Sequence, residues 1–486
     1  MFNRRRLLAL GAITGGAMVL PFTKLPALAD DPAIPRGRQD LIPRRARAGT
    51  RAAVTPFSVR MPIPPVAQPM MSAGGLDLYT IPIKPANADI LPGVRTPVLT
   101  FGGSFIGPTI RARTGRAAKV VFVNQLDMAA NVHLHGGHVA AADDGHPMDV
   151  IDPGRMRAYN YPNSQQGATL WYHDHSHHME AEHVYRGLHG MYVIDDPAER
   201  HLRLPEGDYD VPILLRNAQF DDAGALVFGS PFDRATILAN GRPQPYFPVA
   251  ARKYRFRLLS VASEYTFRLG LGGVEMKQIG SDGGLLPAPL PLTELVLGTA
   301  QRADIVIDFS RFAIGTQIVM TDATSGTPVL RFDVTSRASD NSRVPNTLRP
   351  LPPMPAATVE RDVRLSFDFF SGAPVGLVNG LAYDPNRSDF TVKRGSTEIW
   401  NVSNGDSAFG IPHTFHMHLV QFRVLARNGG APLPQDAGLK DTIELPPNST
   451  ARVQATFTDY LGRYAYHCHY LEHSTLGMMA QMEIVP

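Results

Sequence analysis

Residues 101–125 read FGGSFIGPTIRARTGRAAKVVFVNQ, and the chain returns to that pattern twice. Residues 240–263 read NGRPQPYFPVAARKYRFRLLSVAS, and residues 379–404 read NGLAYDPNRSDFTVKRGSTEIWNVSN. Each copy has a glycine turn, a proline-containing link, a basic turn, and an alternating strand that ends on a small polar residue. Residues 292–310 (LTELVLGTAQRADIVIDFS) and 441–457 (DTIELPPNSTARVQATF) also match each other. Alternation of this kind predicts half-buried antiparallel strands. Three copies predict an all-β chain of three β-sandwich domains. They would span residues 61–197, 205–338 and 355–486, with segments 198–210 and 336–358 as linkers.

The bulk numbers agree with several domains. A chain of 486 residues is too long for one hydrophobic core. Hydrophobic content of 44% and charge of 19% describe a globular protein. The 43 glycines and 42 prolines suit many short strands joined by tight turns. With one cysteine, Cys468, no intramolecular disulfide can form, so that thiol needs another explanation.

The first residues, MFNRRRLLALGAITGGAMVLPFTKLPALAD, place Arg4, Arg5 and Arg6 before a modest apolar stretch. Ala27-Leu28-Ala29 then offers a small-residue cleavage site, and the apolar run is too short to span a bilayer. We read residues 1–29 as a signal peptide. The arginines followed by Leu7-Leu8 resemble a twin-arginine signal, which would engage an export machinery for folded proteins and deliver this one to the periplasm or beyond. Removing residues 1–29 removes four basic and no acidic residues, which turns a net charge of +3 into −1. Nothing in that balance suggests a nucleic-acid partner. Residues 30–60, rich in Arg and Pro, read as an extended arm.

Seventeen histidines are distributed unevenly, with none between Leu202 and Pro412. Ten fall in four motifs: HLHG at 133–136, HDH at 173–175, HTFHMH at 413–418 and HCHYLEH at 467–473. Each motif contains a His-X-His. Residues i and i+2 of a strand project from one face, so each pair can aim two imidazoles at one place. Four pairs give His133, His135, His173, His175, His416, His418, His467 and His469. Imidazole is the commonest metal ligand. On a strand, Cys468 would face away from His467 and His469, toward a second metal site behind the first. Two imidazoles, a thiolate and a thioether form a blue-copper ligand set, whereas zinc rarely uses methionine.

These motifs, with HLHGG, DGHP, YPNSQQGATLWYHDH, MHLVQFRVL and GRYAYHCHYLEH, resemble the multicopper oxidases, most closely spore-coat laccases and bilirubin oxidases. The likeness runs from about residue 60 to the end and implies three cupredoxin-like Greek-key β-sandwiches. It implies four copper ions. His413, Cys468 and His473 would bind the type 1 copper, with Met478 axial; His133 and His416 would bind the type 2 copper. The two type 3 coppers would take His135, His173 and His469, and His175, His418 and His467. It further implies that a phenol, aromatic amine or metal ion gives single electrons near His473. They would pass through Cys468 to His467 and His469, and dioxygen would be reduced to water. Asp144, nine residues after His135, matches a family acid near that cluster, and it also precedes Gly145 in a strong turn signal.

Two departures from the family pattern stand out. Ser474 occupies a place where close relatives often carry an acid, which puts the proton route in doubt, and Glu472 reads as orienting a neighbour rather than relaying protons. Thr414 stands where relatives often have proline, which predicts a looser loop. His177, His178 and His183 lie in a stretch of helical composition and read as a solvated helix face; His138, His146, His189 and His201 read as ordinary polar residues. The leading reading is a laccase-like oxidase. A metallo-oxidase of Cu(I), Mn(II) or Fe(II) is the alternative, disfavoured by scattered methionines, and bilirubin-oxidase-like activity is another. A non-enzymatic scaffold is disfavoured because all twelve ligand positions are filled.

Overall fold

In the computed structural model, which describes residues 54–486, each copy of the repeat is a corner where the chain crosses from one sheet to another. Gly107–Arg113 pairs parallel with His189–Asp195, and after a turn at Gly115 the next strand, Ala117–Asn124, pairs parallel with Leu76–Ala88 in the facing sheet. Tyr246–Ala250 and Lys253–Ser260 repeat this against Thr327–Ser336 and Asp210–Ala218. Phe390–Lys393 and Thr397–Asn404 repeat it against Met479–Val485 and Val359–Asp368. The matched segments at 292–310 and 441–457 are a second such crossing, Glu294–Leu297 into Arg302–Asp308 and Thr442–Leu445 into Thr450–Thr456.

The result is three sandwiches of five plus four, seven plus five, and five plus five strands. Each encloses its own apolar core, built around Val120 and Phe122, around Phe256 and Phe332, and around Trp400 and Phe415. The fold is the expected all-β one. Two details differ from the sequence expectation. The corner strands pair in parallel with their partners, because the chain enters each sheet beside a strand of the same direction. The central strands of the middle sandwich are buried on both faces rather than half-buried: Asp210–Ala218 is buried throughout, and Lys253–Ser260 nearly so.

The second buried face is polar and meets the first sandwich. Asp210 Oδ1 accepts from Arg257 Nε at 2.7 Å, and its Oδ2 accepts from Arg111 of the first sandwich at 2.9 Å. Thr169 Oγ1 donates to Asp304 Oδ1 at 2.8 Å and accepts from Arg257 at 2.9 Å. Arg255 also pairs with Asp304. The flanking cations hold the Asp210 carboxyl well below its ordinary range against the opposing effect of burial.

The segment 198–210 contains two 3-10 turns, Pro197–Leu202 and Gly207–Tyr209, and residues 337–358 form no helix or strand. Arg349 ties the two segments together through Asp196 and Glu199. The proposed signal, residues 1–29, and arm residues 30–53 lie outside the described residues. The end of the arm runs along the middle sandwich, where Phe57 N donates to Gln244 O at 2.8 Å. Among the described residues no helix is long and apolar enough to cross a membrane.

Removing Asp304 would leave Arg255 and Arg257 as buried, under-compensated cations. Asp304→Ala is expected to destabilise the protein by about 3–5 kcal/mol, read by urea unfolding. A change within the ~0.5 kcal/mol of an ordinary surface substitution would remove this network as the tie between the first two sandwiches.

Candidate metal centre

The histidine pairs sit on, or just past the ends of, strands that meet across the interface between the first and third sandwiches. His133–His135 pairs with Ala168–His173, in the register His133 opposite His173. His413–Met417 pairs with Gly462–Cys468, in the register His416 opposite His467. All eight imidazoles are buried and converge into three groups, each with its ligand atoms within 4.8 Å of one another: His133, His135 and His416; His135, His173 and His469; His175, His418 and His467. Gly136, at φ +82°, lets the first strand end in this crowd; a Cβ there would lie 2.7 Å from Asp441 Oδ2 and 2.9 Å from Arg302 Nη2.

Hydrogen bonds assign the tautomers. A carbonyl oxygen only accepts, so the ring nitrogen bonded to it must carry the proton. His133 Nδ1 donates to Asp144 O (2.6 Å), His173 Nδ1 to Asp174 O (2.8 Å), His416 Nδ1 to Asp441 O (2.8 Å) and His467 Nδ1 to Cys468 O (2.9 Å). His418 Nδ1 donates to Asp144 Oδ2 at 2.7 Å. Their Nε2 atoms are therefore lone pairs turned inward. His135 is reversed: its Nε2 meets Asp441 Oδ1 at 3.0 Å, and its Nδ1 is the free atom.

That arrangement tests whether a metal fits. His175, His418 and His467 hold their Nε2 atoms 3.3 Å from one another, and for His418 and His467 those atoms are bare lone pairs. His133 Nε2, His135 Nδ1, His173 Nε2, His416 Nε2 and both nitrogens of His469 are buried with no protein partner. Converging unpaired acceptors repel each other unless a cation lies among them, and neutral imidazoles suit copper. Acceptors on the far nitrogens are the outer partners that orient metal-binding histidines.

The second centre lies behind the first. Cys468 is on the opposite face of the strand from His467 and His469 and packs in the core of the third sandwich. Its Sγ is 3.5 Å from His473 Nδ1 and 3.8 Å from His413 Nδ1. Carboxylates take the outer nitrogens, Asp406 on His413 Nε2 (3.0 Å) and Glu264 on His473 Nε2 (3.3 Å), so both Nδ1 atoms face the sulfur. Burial pushes the thiol up, but the two imidazoles outweigh it and bring it down to about 6. Met478 is fully buried in the same core, and its carbonyl accepts from Cys468 N at 3.0 Å.

Asp144 is fully buried, with its backbone on His133 and its carboxylate on His418; burial, opposed by His133, raises it to about 6. It also closes the turn before Gly145, so both readings of this residue coexist. Thr414 lies in a buried strand, not a loose loop, and its N–H points at Cys468 Sγ at 3.4 Å, a contact proline could not make. Glu472 is held by Arg234 and by the Ser263 hydroxyl of the middle sandwich, which anchors the helix Leu471–Thr475 that carries His473. Of the helical histidines, His183 is buried against Asp174 at 3.2 Å rather than solvated, and His189 is buried as well.

Four further residues carry no signal in the sequence. Asp441 supports His135 and His416 together; Arg302 grips Asp441; Glu264 reaches His473 from the middle sandwich. Glu180 places Oε1 3.5 Å from His175 Nδ1, with Ser474 beside it, and burial raises it to about 8. A buried acid on the helix Glu180–Arg186 thus stands beside Ser474.

Comparison with known proteins agrees with this geometry. Sequence profiles of the multicopper oxidases match residues 83–199 and 349–486. The chain is 35% identical to a bilirubin oxidase of Albifimbria verrucaria, over 87% of this chain and 80% of that protein. It is 33% identical to a laccase of Bacillus subtilis, over 88% and 98%. The crystal structure of a laccase from Pediococcus acidilactici superimposes with a TM-score of 0.83 at 30% identity, covering 90% of this chain and 95% of that one. The chain belongs to the multicopper oxidase family. It is a laccase-like, copper-dependent oxidoreductase that uses dioxygen and a reductant.

Burial, with neighbouring imidazoles in most cases, pushes the cluster histidines down: His133 to about 3, His467 to about 4, and His135, His173, His175, His416, His418 and His469 well below normal. With folded values below the unfolded ~6.5, the unfolded chain binds these protons first. Their stabilisation is complete above ~6.5 and is lost as pH falls, by about 1.4 kcal/mol per pH unit for each titrating ring. Asp144, Glu180, Asp441, His183 and His473 are raised and act in the opposite sense, against the eight rings of the cluster. Metal-free protein should therefore unfold at clearly lower urea at pH 5 than at pH 7. Equal midpoints would contradict a buried neutral cluster.

Proposed function

We propose that this protein oxidises phenols or aromatic amines one electron at a time and reduces dioxygen to water. The observation that carries this reading is the placement of His413, Cys468 and His473 directly behind the eight-histidine cluster, with Cys468 on the strand that also carries His467. Four copper ions fit the donor sets. One would be held by His413, Cys468 and His473 together with Met478, one by His133 and His416, and two by His135, His173 and His469 and by His175, His418 and His467. When bound, copper supplies the one-electron redox chemistry of both centres.

The residues of this chain do the rest. Cys468 is covalently flanked by His467 and His469, so the two centres are one residue apart along the backbone. The reductant would give its electrons by way of the His473 ring. Asp144 accepts from His418 and is placed to hold and deliver a proton to the dioxygen site. We further propose export through the twin-arginine route, to the periplasm or beyond, and folding units at 61–197, 205–338 and 355–486. The likeness to a bilirubin oxidase supports including a bilin among the reductants tested.

Copper-loaded protein should be intensely blue and should consume dioxygen with a phenol, because the Cys468 thiolate transfers charge to Cu(II). Cys468→Ser should lose both properties and remain folded by far-UV circular dichroism. A blue, active Cys468→Ser protein would overturn the assignment.

Asp144→Asn should slow reoxidation by dioxygen on the order of a hundredfold while leaving reduction of the blue band nearly unchanged. Stopped-flow traces with wild-type reoxidation would reduce Asp144 to its turn role.

A further inference from the structure

Phenylalanine rings lead from His473 to the surface. Phe367 stands edge-on to His473, with ring centroids 4.7 Å apart and planes at 83°. Phe369 lies 5.2 Å beyond Phe367, Phe409 lies 5.2 Å beyond Phe369, and Phe370 lies 6.4 Å from Phe409. Phe370 is 85% exposed, more than any other large apolar side chain among the described residues. Leaving such a ring in water forgoes the favourable burial of its apolar surface. An isolated exposed ring needs no explanation, but this one continues a contiguous aromatic surface, and such surfaces mark binding sites.

The surface is tied to the metal-binding residues. Asp368 Oδ1 accepts from Phe370 N (2.8 Å) and Ser371 N (3.2 Å), which fixes the turn that turns Phe370 outward. Asp406 bonds His413, and the 3-10 turn that follows it carries Phe409 and closes on Gly410 at φ +71°. Both aromatic loops are thus anchored within a few residues of the His413–Cys468–His473 centre.

The other side of His473 differs in character. There Glu264 covers Nε2, and the cavity beyond it, about 580 Å³, has a mixed lining in which Arg268, Asp436, Lys440 and Glu444 stand beside Leu297 and Leu433. A flat apolar ring system suits the phenylalanine side, where offset or edge-to-face stacking is available.

We propose that Phe369, Phe370 and Phe409 form a docking platform for planar, fused-ring aromatic reductants. This rests on the oxidase function proposed above. A naphthalenediol seated there loses one electron toward His473 across the packed rings, its O–H bond breaks, the proton goes to solvent and an aryloxyl radical departs. Four such events supply the four electrons that, with four protons, turn one dioxygen into two waters. The phenylalanines are not themselves oxidised; they seat the donor and keep it in continuous contact with His473.

The test uses copper-loaded wild-type, Phe370→Ser and Phe370→Trp proteins, with 1,8-dihydroxynaphthalene and ferrocyanide as alternative reductants. Phe370→Ser should raise KM for the naphthalenediol roughly three- to tenfold, the scale of one aromatic pair, with kcat and the blue band little changed. Phe370→Trp should restore it, and KM for ferrocyanide, which has no ring to stack, should stay constant throughout. An unchanged naphthalenediol KM, or an equal change for ferrocyanide, would overturn the platform. Wild-type protein that oxidises neither compound would instead overturn the oxidase reading itself.

Discussion

Arg302 is fully buried, and its guanidinium holds the three sandwiches together. It belongs to the middle sandwich, donates through Nε to Thr169 O of the first at 2.9 Å, and pairs through Nη1 with Asp441 of the third at 2.8 Å. Its backbone N–H is taken by Asp282, which also pairs with Lys440 at 2.9 Å. Buried ion pairs of this kind seldom add much stability, since desolvation offsets the attraction; their value is in selecting one arrangement. Here the selected arrangement is the metal cluster. Asp441 passes the constraint on by holding His135 through its carboxylate and His416 through its carbonyl. Those two histidines come from different sandwiches, so their approach depends on a residue in a third that contains no histidine in its strands.

The same logic explains why the cluster is costly on its own. Eight neutral imidazoles are buried with their lone pairs converging, and the partners that would satisfy them are absent from the protein. The far nitrogens of six rings, those of His133, His135, His173, His416, His418 and His467, are by contrast committed to a carbonyl or carboxylate. The fold therefore spends stability to hold ligands in advance of the ion, which is how rigid β scaffolds position metal sites. The histidine-free sandwich contributes by clamping: Arg302 on Asp441, Arg234 and Ser263 on Glu472, and Glu264 on His473.

His473 is where these constraints meet the outside. A carboxylate from the middle sandwich covers one side of its ring, and Phe367 the other. The two sides differ in their groups, a carboxylate on one and a phenylalanine ring on the other. The N–H of Thr414, aimed at the Cys468 sulfur, adds a donor beside the thiolate, a feature that the sulfur's electronics will register.

Much of this was legible in the sequence because it is periodic or local. The strand corners repeat as text, and each is a crossing between sheets in the structure. The His-X-His pairs were readable because a strand has a period of two, which also placed Cys468 on the face opposite its neighbours. The turn at Asp144–Gly145 and the helical character of residues 180–186 were likewise local. What the sequence could not indicate depends on pairs distant along the chain. Arg302 and Asp441 are separated by 139 residues, Ser263 and Glu472 by 209, and Arg234 and Glu472 by 238. The burial of His183 and the order of the Thr414 strand follow from what packs over them, not from their own segments. Composition and periodicity determined that strands form and which faces carry ligands; only the docking of three sandwiches decided which carboxylates hold those ligands, because burial and long-range charge pairing exist only once the sheets are assembled.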